Sequence, residues 1–200
     1  MGLRTADTEL TNEDPATAQV GPEIRDLRKA KRMTIKELSL ATSLSIGHLS
    51  EIERGIASPS IKTLHDIARA LGVTIGWFLH NAESDDPGER EFIVRASNRR
   101  TLKFASGITD ELLSPNLRGQ LELLLCRFPP NSAGEERAYS HQGEEAGVLL
   151  TGTLELWIGE RCFTLGEGDS FSFPSTMPHR YRNPGKVEAV VVWVITPPTY

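Results

Sequence analysis

The sequence lacks the features that secreted and membrane-spanning proteins need. Its 200 residues include only two cysteines, Cys126 and Cys162, which form neither a C-x-x-C pair nor a disulfide framework. No apolar run approaches the roughly 20 residues of a membrane span. The polar first 21 residues lack the basic and apolar regions of a secretory signal. We therefore expect two reduced, buried thiols, no membrane partner and a cytoplasmic location.

Aromatic residues are also scarce, at 6%, whereas the chain has 17 glycines and 12 prolines. This composition predicts many turns and short strands in part of the chain, and it argues against an all-helical fold. With 38% hydrophobic and 24% charged residues, the chain is long enough for one medium or two small globular domains. Disorder throughout is excluded.

Charge and hydrophobic pattern divide the chain into four segments. Residues 22–80 carry nine Lys and Arg against six acidic residues, whereas residues 81–200 carry 12 against 17. A basic segment in an acidic protein is expected if one domain binds nucleic acid. The alternative is that these cations are only solvated surface residues without a partner. We predict a disordered tail at 1–21, a helical domain at 22–80, an acidic linker at 81–91 and a strand domain at 92–200.

The helical segment contains apolar residues at helical spacing in short bursts, which predicts four or five short helices. Thr34 and Glu37 have the spacing of a capping box, and Ser45 is expected to start another helix. Gly55 and Gly72 fall where helices should end. Such short helices must pack together to be stable.

The strand segment has the alternation of short strands separated by glycine turns. We predict nine strands, at residues 92–96, 102–105, 121–128, 147–150, 153–158, 161–165, 170–173, 179–183 and 187–195. This number of strands with tight turns indicates a sandwich or a small barrel.

Residues 33–55 and 58–73 resemble the helix-turn-helix of the phage-repressor-like (XRE) regulators. Leu38, Ala41, Leu44, Leu49 and Ile52 form the apolar seam of this segment, and the small Ala41 would allow two helices to approach closely. The resemblance implies that the second helix enters the major groove of a double-stranded DNA operator.

The resemblance also implies individual DNA contacts. Phosphate contacts are expected from hydroxyl and cationic residues near helix ends: Thr34, Lys36, Ser45, Arg54 and Lys62. Base reading is expected from the outer face of the second helix: Ile46, Gly47, His48, Ser50 and Glu51. No Arg, Gln or Asn lies on this face, which favours modest specificity or readout of DNA shape. The alternative is that these residues only solvate a helix used for protein contacts.

A second resemblance lies in the strand segment and covers roughly the last 60 to 70 residues of the chain. Residues 141–156 look like the first motif of the cupins, and residues 166–183 look like the second. The resemblance implies an all-β double-stranded β-helix, or jelly-roll barrel. It implies further that His141, Glu145 and His179 could hold one divalent ion, since two imidazoles and a carboxylate suit Fe, Mn or Zn.

Tyr139 stands where the cupin pattern has an additional histidine. A polar pocket that hydrogen-bonds an organic effector is therefore as well supported as a metal site. Tyr181 is included in this effector site with Tyr139, His141, Glu145 and His179, because it lies two residues after His179 and faces the same way.

Two segments are informative about the chain as a whole: His-Gln-Gly-Glu-Glu at 141–145 and Val-Ile-Thr-Pro-Pro-Thr-Tyr at 194–200. With these segments, and with a helix-turn-helix followed by a cupin, the whole chain resembles regulators of putrescine and other amine catabolism. This resemblance implies a homodimeric transcription factor whose cupin domain senses a small molecule, and a cationic amine would suit Glu145. The alternative is a mononuclear non-haem iron epoxidase acting on hydroxypropylphosphonate, with an accessory helix-turn-helix. That enzyme would need a cation for its anionic substrate, for which Arg127 and Arg137 are candidates. The basic residues around 49–55 favour the regulator.

Overall fold

The computed structural model describes residues 20–78, 88–89, 91–134 and 137–199. Most of the predicted tail and most of the predicted linker lie outside these residues. The predicted tail extends too far in one respect, because Val20 and Gly21 are buried in the first helix. Below, residues 20–78 are called the helical domain and residues 91–199 the β domain. None of the helices in these ranges is long and apolar enough to cross a membrane.

The helical domain contains four α-helices, in agreement with the predicted four or five. They are α1 (Val20–Ala30), α2 (Ile35–Thr42), α3 (Ile46–Glu53) and α4 (Ile61–Ala70), followed by a 3-10 turn at Ile75–Trp77.

Local sequence signals begin and end these helices as expected. The Thr34 hydroxyl accepts a hydrogen bond from the Glu37 amide, and the Glu37 carboxylate accepts one from the Thr34 amide, which completes the capping box of α2. Ser45 caps α3 by accepting a hydrogen bond from the His48 amide. Gly55 and Gly72 have φ angles of 71° and 69° after α3 and α4, a conformation that favours glycine.

The core of the helical domain agrees with the predicted seam except at Ala41. Leu38, Leu49 and Ile52 are fully buried, whereas Ala41 is exposed and cannot mediate the close approach. That approach occurs at Gly21, where a Cβ would lie 2.0 Å from the Ile52 carbonyl oxygen. A glycine in α1 therefore allows α1 to pack against the end of α3.

The β domain contains nine strands among its described residues. These are β1 (Arg100–Lys103), β2 (Thr109–Leu112), β3 (Glu122–Phe128), β4 (Glu144–Thr151), β5 (Leu154–Ile158), β6 (Arg161–Leu165), β7 (Ser170–Pro174), β8 (His179–Arg182) and β9 (Ala189–Thr196). One antiparallel sheet has the order β1-β2-β3-β9-β4-β7, and the other has the order β6-β5-β8. Leu149 and Val191 from the first sheet share a core with Leu154 and Leu156 from the second. The predicted helical domain followed by an all-β domain is thus confirmed. Cys126 is buried as expected, but the expectation was wrong for Cys162, which is exposed.

Two strand predictions were wrong. Residues 92–96 form no strand: Phe92 is in a turn and exposed, and a short 3-10 turn occupies Ala96–Asn98. Strand β2 was missed because Thr109-Asp-Glu-Leu112 has little apolar character. It forms because its backbone pairs with β1 on one side and β3 on the other, and this pairing outweighs intrinsic preference.

The two domains contact each other through α1. Arg100 donates to Glu23 at 2.7 Å, and Arg118 donates to Asp26 at 2.7 Å. The Arg100 guanidinium also lies 5.9 Å from the centre of the Trp77 ring. Burial raises the pKa of Glu23 to about 7, although Arg100 opposes this change. The helical domain is therefore docked on the β domain through partly buried charges.

Candidate functional site

The residues predicted to contact DNA lie at helix ends and on α3. Thr34 and Ser45 are the N-caps of α2 and α3, Arg54 follows the last residue of α3, and Lys36 and Lys62 lie in the first turns of α2 and α4. The exposed members of the predicted set are Thr34, Lys36, Ser45, Ile46, Gly47, Glu51, Arg54 and Lys62, whereas His48 and Ser50 are half-buried. Most of the predicted surface can therefore be reached by a partner.

Some of these groups are already engaged within the protein. The Thr34 hydroxyl donates to Glu37 at 2.7 Å, and the Thr34 amide donates to the same carboxylate at 2.7 Å. Lys62 lies 3.4 Å from Asp66. Ser45 and Lys36 are thus better placed than Thr34 to offer a donor to an anion.

A buried ion pair fixes α3 to α1. The Arg28 Nε and Nη2 atoms donate to the two Glu53 carboxylate oxygens at 2.6 and 2.9 Å, and Arg28 Nη1 donates to the Met33 carbonyl at 2.8 Å. The contact with Glu53 raises the pKa of Arg28, although burial opposes it. Sequence reasoning missed this pair. The available signal was that Glu53 shares the buried face of α3 with Leu49 and Ile52.

In the β domain, three predicted ligands converge. Glu145 Oε1 lies 2.8 Å from His141 Nε2 and 3.1 Å from His179 Nε2. Glu145 and His179 are 1% and 0% exposed, and His141 is half-buried. The structure thus brings together residues that lie up to 38 positions apart in the sequence, from His141 to His179.

Backbone pairing delivers these side chains. Glu145 is in β4 and His179 begins β8, while the segment before β4 pairs with β8 through two hydrogen bonds between Tyr139 and His179. His141 is held next to them because its amide donates to the Ser175 carbonyl at 2.9 Å. The three side chains therefore come from two parts of the chain: β8, and β4 with the residues directly before it.

Neighbouring groups orient each ligand atom. His141 Nδ1 lies 3.1 Å from the Gln142 carbonyl and His179 Nδ1 lies 2.9 Å from the Met177 carbonyl, which favours a proton on both Nδ1 atoms. Trp193 Nε1 donates to Glu145 Oε2 at 2.8 Å. These contacts leave the two Nε2 atoms and Glu145 Oε1 directed at one another.

This donor set fits a metal ion. Within the described part of the chain, neither Glu145 Oε1 nor His179 Nε2 has a hydrogen-bond partner of correct geometry, although both are buried. All three ligand atoms lie within 4.8 Å of one another. Lone pairs that converge without hydrogen bonds are suited to a shared cation, and two imidazoles with a carboxylate leave further coordination positions open.

The same contacts set the charge of the cluster. Burial opposes the charge of Glu145, but His179, Trp193 and His141 together lower its pKa. Burial likewise opposes a charged His179, but Glu145 and the Met177 carbonyl together raise its pKa. Without a bound cation, the cluster therefore favours an ionised Glu145 beside a protonated His179.

The cluster borders a cavity of about 610 Å³. Its lining includes Glu145 together with Leu102, Phe104, Ile108, Leu124, Cys126, Phe128, Tyr139, Tyr181, Trp193 and Ile195. This volume is in the range of small-molecule sites, and the mixture of aromatic walls with few polar groups is typical of them.

Both predicted tyrosines line this cavity. The Tyr139 ring is partly exposed and lies 4.3 Å from the His179 ring, centre to centre. Its hydroxyl interacts with that of Tyr181, and burial raises the pKa of both phenols. Two neutral hydroxyls are therefore available for hydrogen bonds with a ligand.

Three charged residues of the cavity lining were missed. They are Asp110, Glu122 and Lys31, the last of which comes from the helical domain. Glu122 had a sequence signal, because it stands in the apolar run Leu121–Phe128. Asp110 was not predicted because strand β2, which contains it, was not predicted. Nothing in the sequence links Lys31 to the β domain.

The acidic groups of the cavity are buried. Glu122 is 0% exposed and accepts a hydrogen bond from the Thr199 amide at 2.8 Å. Burial raises the pKa of Asp110 to about 6, although Cys126 opposes this by hydrogen bonding. The cavity therefore offers three carboxylates, including Glu145, against one cation among its described lining residues, Lys31.

Comparison with known families assigns both halves. Residues 24–78 match the helix-turn-helix family, and residues 124–195 match the cupin domain family.

Two relatives match different lengths of the chain. The HTH-type transcriptional regulator PuuR of Escherichia coli (strain K12) is 23% identical over 181 residues, which cover 90% of this chain and 96% of that protein. The immunity repressor protein of Bacillus phage phi105 is 38% identical over 99 residues, covering 45% of this chain and 69% of that protein. The first similarity extends through both domains.

Among solved structures, the hydroxypropylphosphonic acid epoxidase from S. wedmorenis has a TM-score of 0.48 and 20% identity. The match covers 90% of this chain and 97% of that one.

Proposed function

Because this chain belongs to the helix-turn-helix transcriptional regulators that carry a C-terminal cupin domain, we propose that a small molecule bound in its cupin cavity sets its affinity for a DNA operator. The observation that carries the proposal is the cavity of about 610 Å³, which extends from the His-Glu-His cluster to a residue of the helix-turn-helix domain. We further propose that the protein acts in the cytoplasm as a homodimer on an approximately two-fold operator, since symmetric proteins generally bind symmetric half-sites.

For DNA recognition we propose that α3 enters the major groove. Ser45, Lys36 and Arg54 are exposed at helix ends and would contact phosphates, with Lys62 exchanging Asp66 for a phosphate. Thr34 would serve this surface mainly by starting α2. Bases would be read by one face of α3, formed by Ile46, Gly47, His48, Ser50 and Glu51. No heavy atom lies within 4 Å of the Cβ position of Gly47, which leaves room for a base edge.

A duplex-binding titration tests this interface. Arg54→Ala should weaken binding to all sequences and reduce the salt dependence by about one charge. Glu51→Ala should change preference at one base position, by about 1–3 kcal/mol. If the full-length protein binds no duplex at low salt, the regulatory proposal is wrong.

For the effector we propose an organic cation that carries at least one ammonium group. Asp110 and Glu122 supply negative charge inside the cavity, and the rings of Phe128, Tyr181 and Trp193 supply faces that attract a cation. An anion would instead have to approach buried carboxylates. The charge of the lining thus selects the sign of the ligand.

Calorimetry with two series of ligands tests this effector class. Linear aliphatic diamines of increasing length should bind the full-length protein and change operator affinity by about fivefold or more, whereas dicarboxylates of matched length should not bind. Asp110→Asn should weaken diamine binding, and Glu144→Gln, on the exposed side of β4, should not. Binding of the dicarboxylates alone would overturn the charge argument.

We also propose that His141, Glu145 and His179 hold one divalent ion. When bound, such an ion would supply a Lewis acid beside the cavity. The Nδ1 contacts of the two histidines and the bond from Trp193 to Glu145 would keep the three ligand atoms in place.

An iron-dependent oxygenase is the second candidate, favoured by the position of this cluster beside a cavity. The two cations considered for binding an anionic substrate do not support this candidate. Arg127 is paired with Glu111 and Glu188, and neither Arg127 nor Arg137 is among the described residues that line the cavity. Stoichiometric iron in the purified protein, with oxygen consumption that depends on a substrate, would establish the enzyme. Metal binding without oxygen consumption would favour the regulator.

A further inference from the structure

One residue of the DNA-binding domain lines the effector cavity. Lys31 directly follows α1, and its amide continues the helix by donating to the Leu27 carbonyl at 3.0 Å. Its side chain is half-buried and lines the cavity together with Glu122 and Thr199. A ligand in the cavity would therefore share its space with a group that belongs to the other domain.

The surroundings of Lys31 suit an ammonium group. Burial lowers the pKa of Lys31, and the negative charge of Glu122 opposes this change. The β3-β9-β4 register places Glu122 and Glu145 opposite the same residue, Ile195. With adjacent strands about 4.8 Å apart, the backbones of the two glutamates are roughly 10 Å apart across the cavity wall. Lys31 thus lines the same cavity as Glu122 and feels its charge, two strands away from Glu145 of the His-Glu-His cluster.

Helix α1, which Lys31 directly follows, is attached to α3, the helix proposed to read DNA. Arg28 of α1 binds Glu53 of α3 through two hydrogen bonds, and Gly21 of α1 packs on the Ile52 carbonyl of α3. On the cupin side, α1 is held by the partly buried Glu23–Arg100 pair and by the more exposed Asp26–Arg118 pair. A displacement of α1 relative to the cupin domain would move α3 with it.

We propose that Lys31 couples the cavity to the DNA-binding domain: its ammonium group occupies the Glu122 end of the cavity, and an organic cation that enters the cavity takes its place. This inference rests on the proposed function, because it assumes that the effector is a cation bound in this cavity. Lys31 acts as a tethered competitor of the effector. Binding of the effector removes one of the contacts that dock α1, and it thereby changes the orientation of α3 relative to its equivalent in a partner subunit.

A ligand-free double-mutant cycle tests the coupling. Lys31→Met removes the ammonium but keeps an apolar stem, and Glu122→Gln removes its counter-charge while keeping an acceptor for the Thr199 amide. The operator is first selected from random duplexes with the wild-type protein. Each single variant should change the affinity for this operator by about fivefold or more. The double variant should change it no more than either single variant, because both remove the same contact.

Lys29→Met is the matched control. Lys29 is exposed on α1 and also carries one positive charge, so this variant measures the general effect of charge loss on DNA binding. Hydrogen exchange of residues 20–31 in the full-length protein should be faster in Lys31→Met than in Lys29→Met. Lys31→Arg should restore exchange and operator affinity towards the wild type. If Lys31→Met matches Lys29→Met in both measurements, Lys31 does not couple the domains.

The diamine series separates this proposal from the proposed function. Lys31→Met should bind diamines about tenfold more tightly than the wild type, and its operator affinity should no longer respond to them. If neither protein binds a diamine, the effector class is wrong and the competition fails with it, whereas the ligand-free cycle still decides whether Lys31 docks the domains. If both proteins bind diamines equally and respond equally, the effector class stands and the role of Lys31 is overturned.

Discussion

In the helix-turn-helix domain the candidate binding residues lie at helix ends and on one exposed helix face, whereas in the cupin domain they are buried side chains from separate strands. Ser45 and Arg54 flank one eight-residue helix, α3. Glu145, His179 and Glu122 lie in β4, β8 and β3. The first site needs only a helix held at the correct angle, while the second exists only when the barrel has formed. The two domains should therefore respond differently to substitution.

The largest expected loss of stability comes from removing the ion pair that holds α3, not from changing the exposed face of α3. Glu53→Ala leaves Arg28 buried without its counter-charge, which should lower the free energy of unfolding by about 3–5 kcal/mol. Glu51→Ala, on the exposed face of the same helix, should change it by less than about 0.5 kcal/mol. Urea denaturation followed by circular dichroism measures both. Equal losses in the two variants would show that the Arg28 pair does not hold α3.

In the cupin domain, Glu145→Gln should separate ligand binding from DNA binding. Loss of the carboxylate charge should weaken binding of Mn²⁺ or Zn²⁺ at least about a hundredfold, measured by calorimetry. Affinity for DNA without effector should stay nearly unchanged, and the response to diamines should be reduced. Glu144→Gln, which is exposed on the same strand, is the control. Loss of DNA binding in a folded Glu145→Gln protein would show that the two sites are not separable.

The contact between the domains should depend on pH through Glu23. Its pKa is about 7 in the folded protein and near 4.5 when unfolded, so between these values the folded state holds a proton that the unfolded state releases. The stabilising contribution is therefore complete below pH 4.5 and is lost as the pH rises to 7, by at most about 3 kcal/mol.

Thermal denaturation across this range measures the effect, and Glu23→Gln should flatten the profile. Glu37 should act in the opposite direction, because its hydrogen bonds with the Thr34 amide and hydroxyl lower its pKa. Its contribution is present above the unfolded value and is lost as the pH falls. An unchanged profile in Glu23→Gln would mean that burial does not raise the pKa of Glu23.

The smallest expected effect has opposite signs for stability and binding. Gly47→Ala in α3 should stabilise the fold by about 1 kcal/mol, since alanine favours a helix and its Cβ would meet no other group. The same methyl group should weaken or alter DNA binding if this face enters the groove. Denaturation and duplex titration of one variant compare the two. Tighter binding in proportion to stability would place the DNA-reading surface elsewhere.

The sequence by itself determined the features that depend on neighbouring residues. The capping box at Thr34, the start of α3 at Ser45 and the glycine turns at Gly55 and Gly72 each involve a few consecutive residues, and all were predicted. The spacing of His141 and Glu145, with a later His179, indicated the cluster because cupin motifs preserve that order. Helices and alternating strands were recognised because their periods are local properties.

Only the tertiary structure decided which of the remaining residues face the cavity or support the sites. Asp110 lies in a polar strand that forms because β1 and β3 flank it, and Lys31 reaches the cupin cavity only because α1 docks there. Glu53 forms an ion pair with Arg28, which lies 25 positions earlier in the chain. Gly21, and not Ala41, allows the close helix contact. These arrangements depend on pairings between distant segments, whose energies no short stretch of sequence contains.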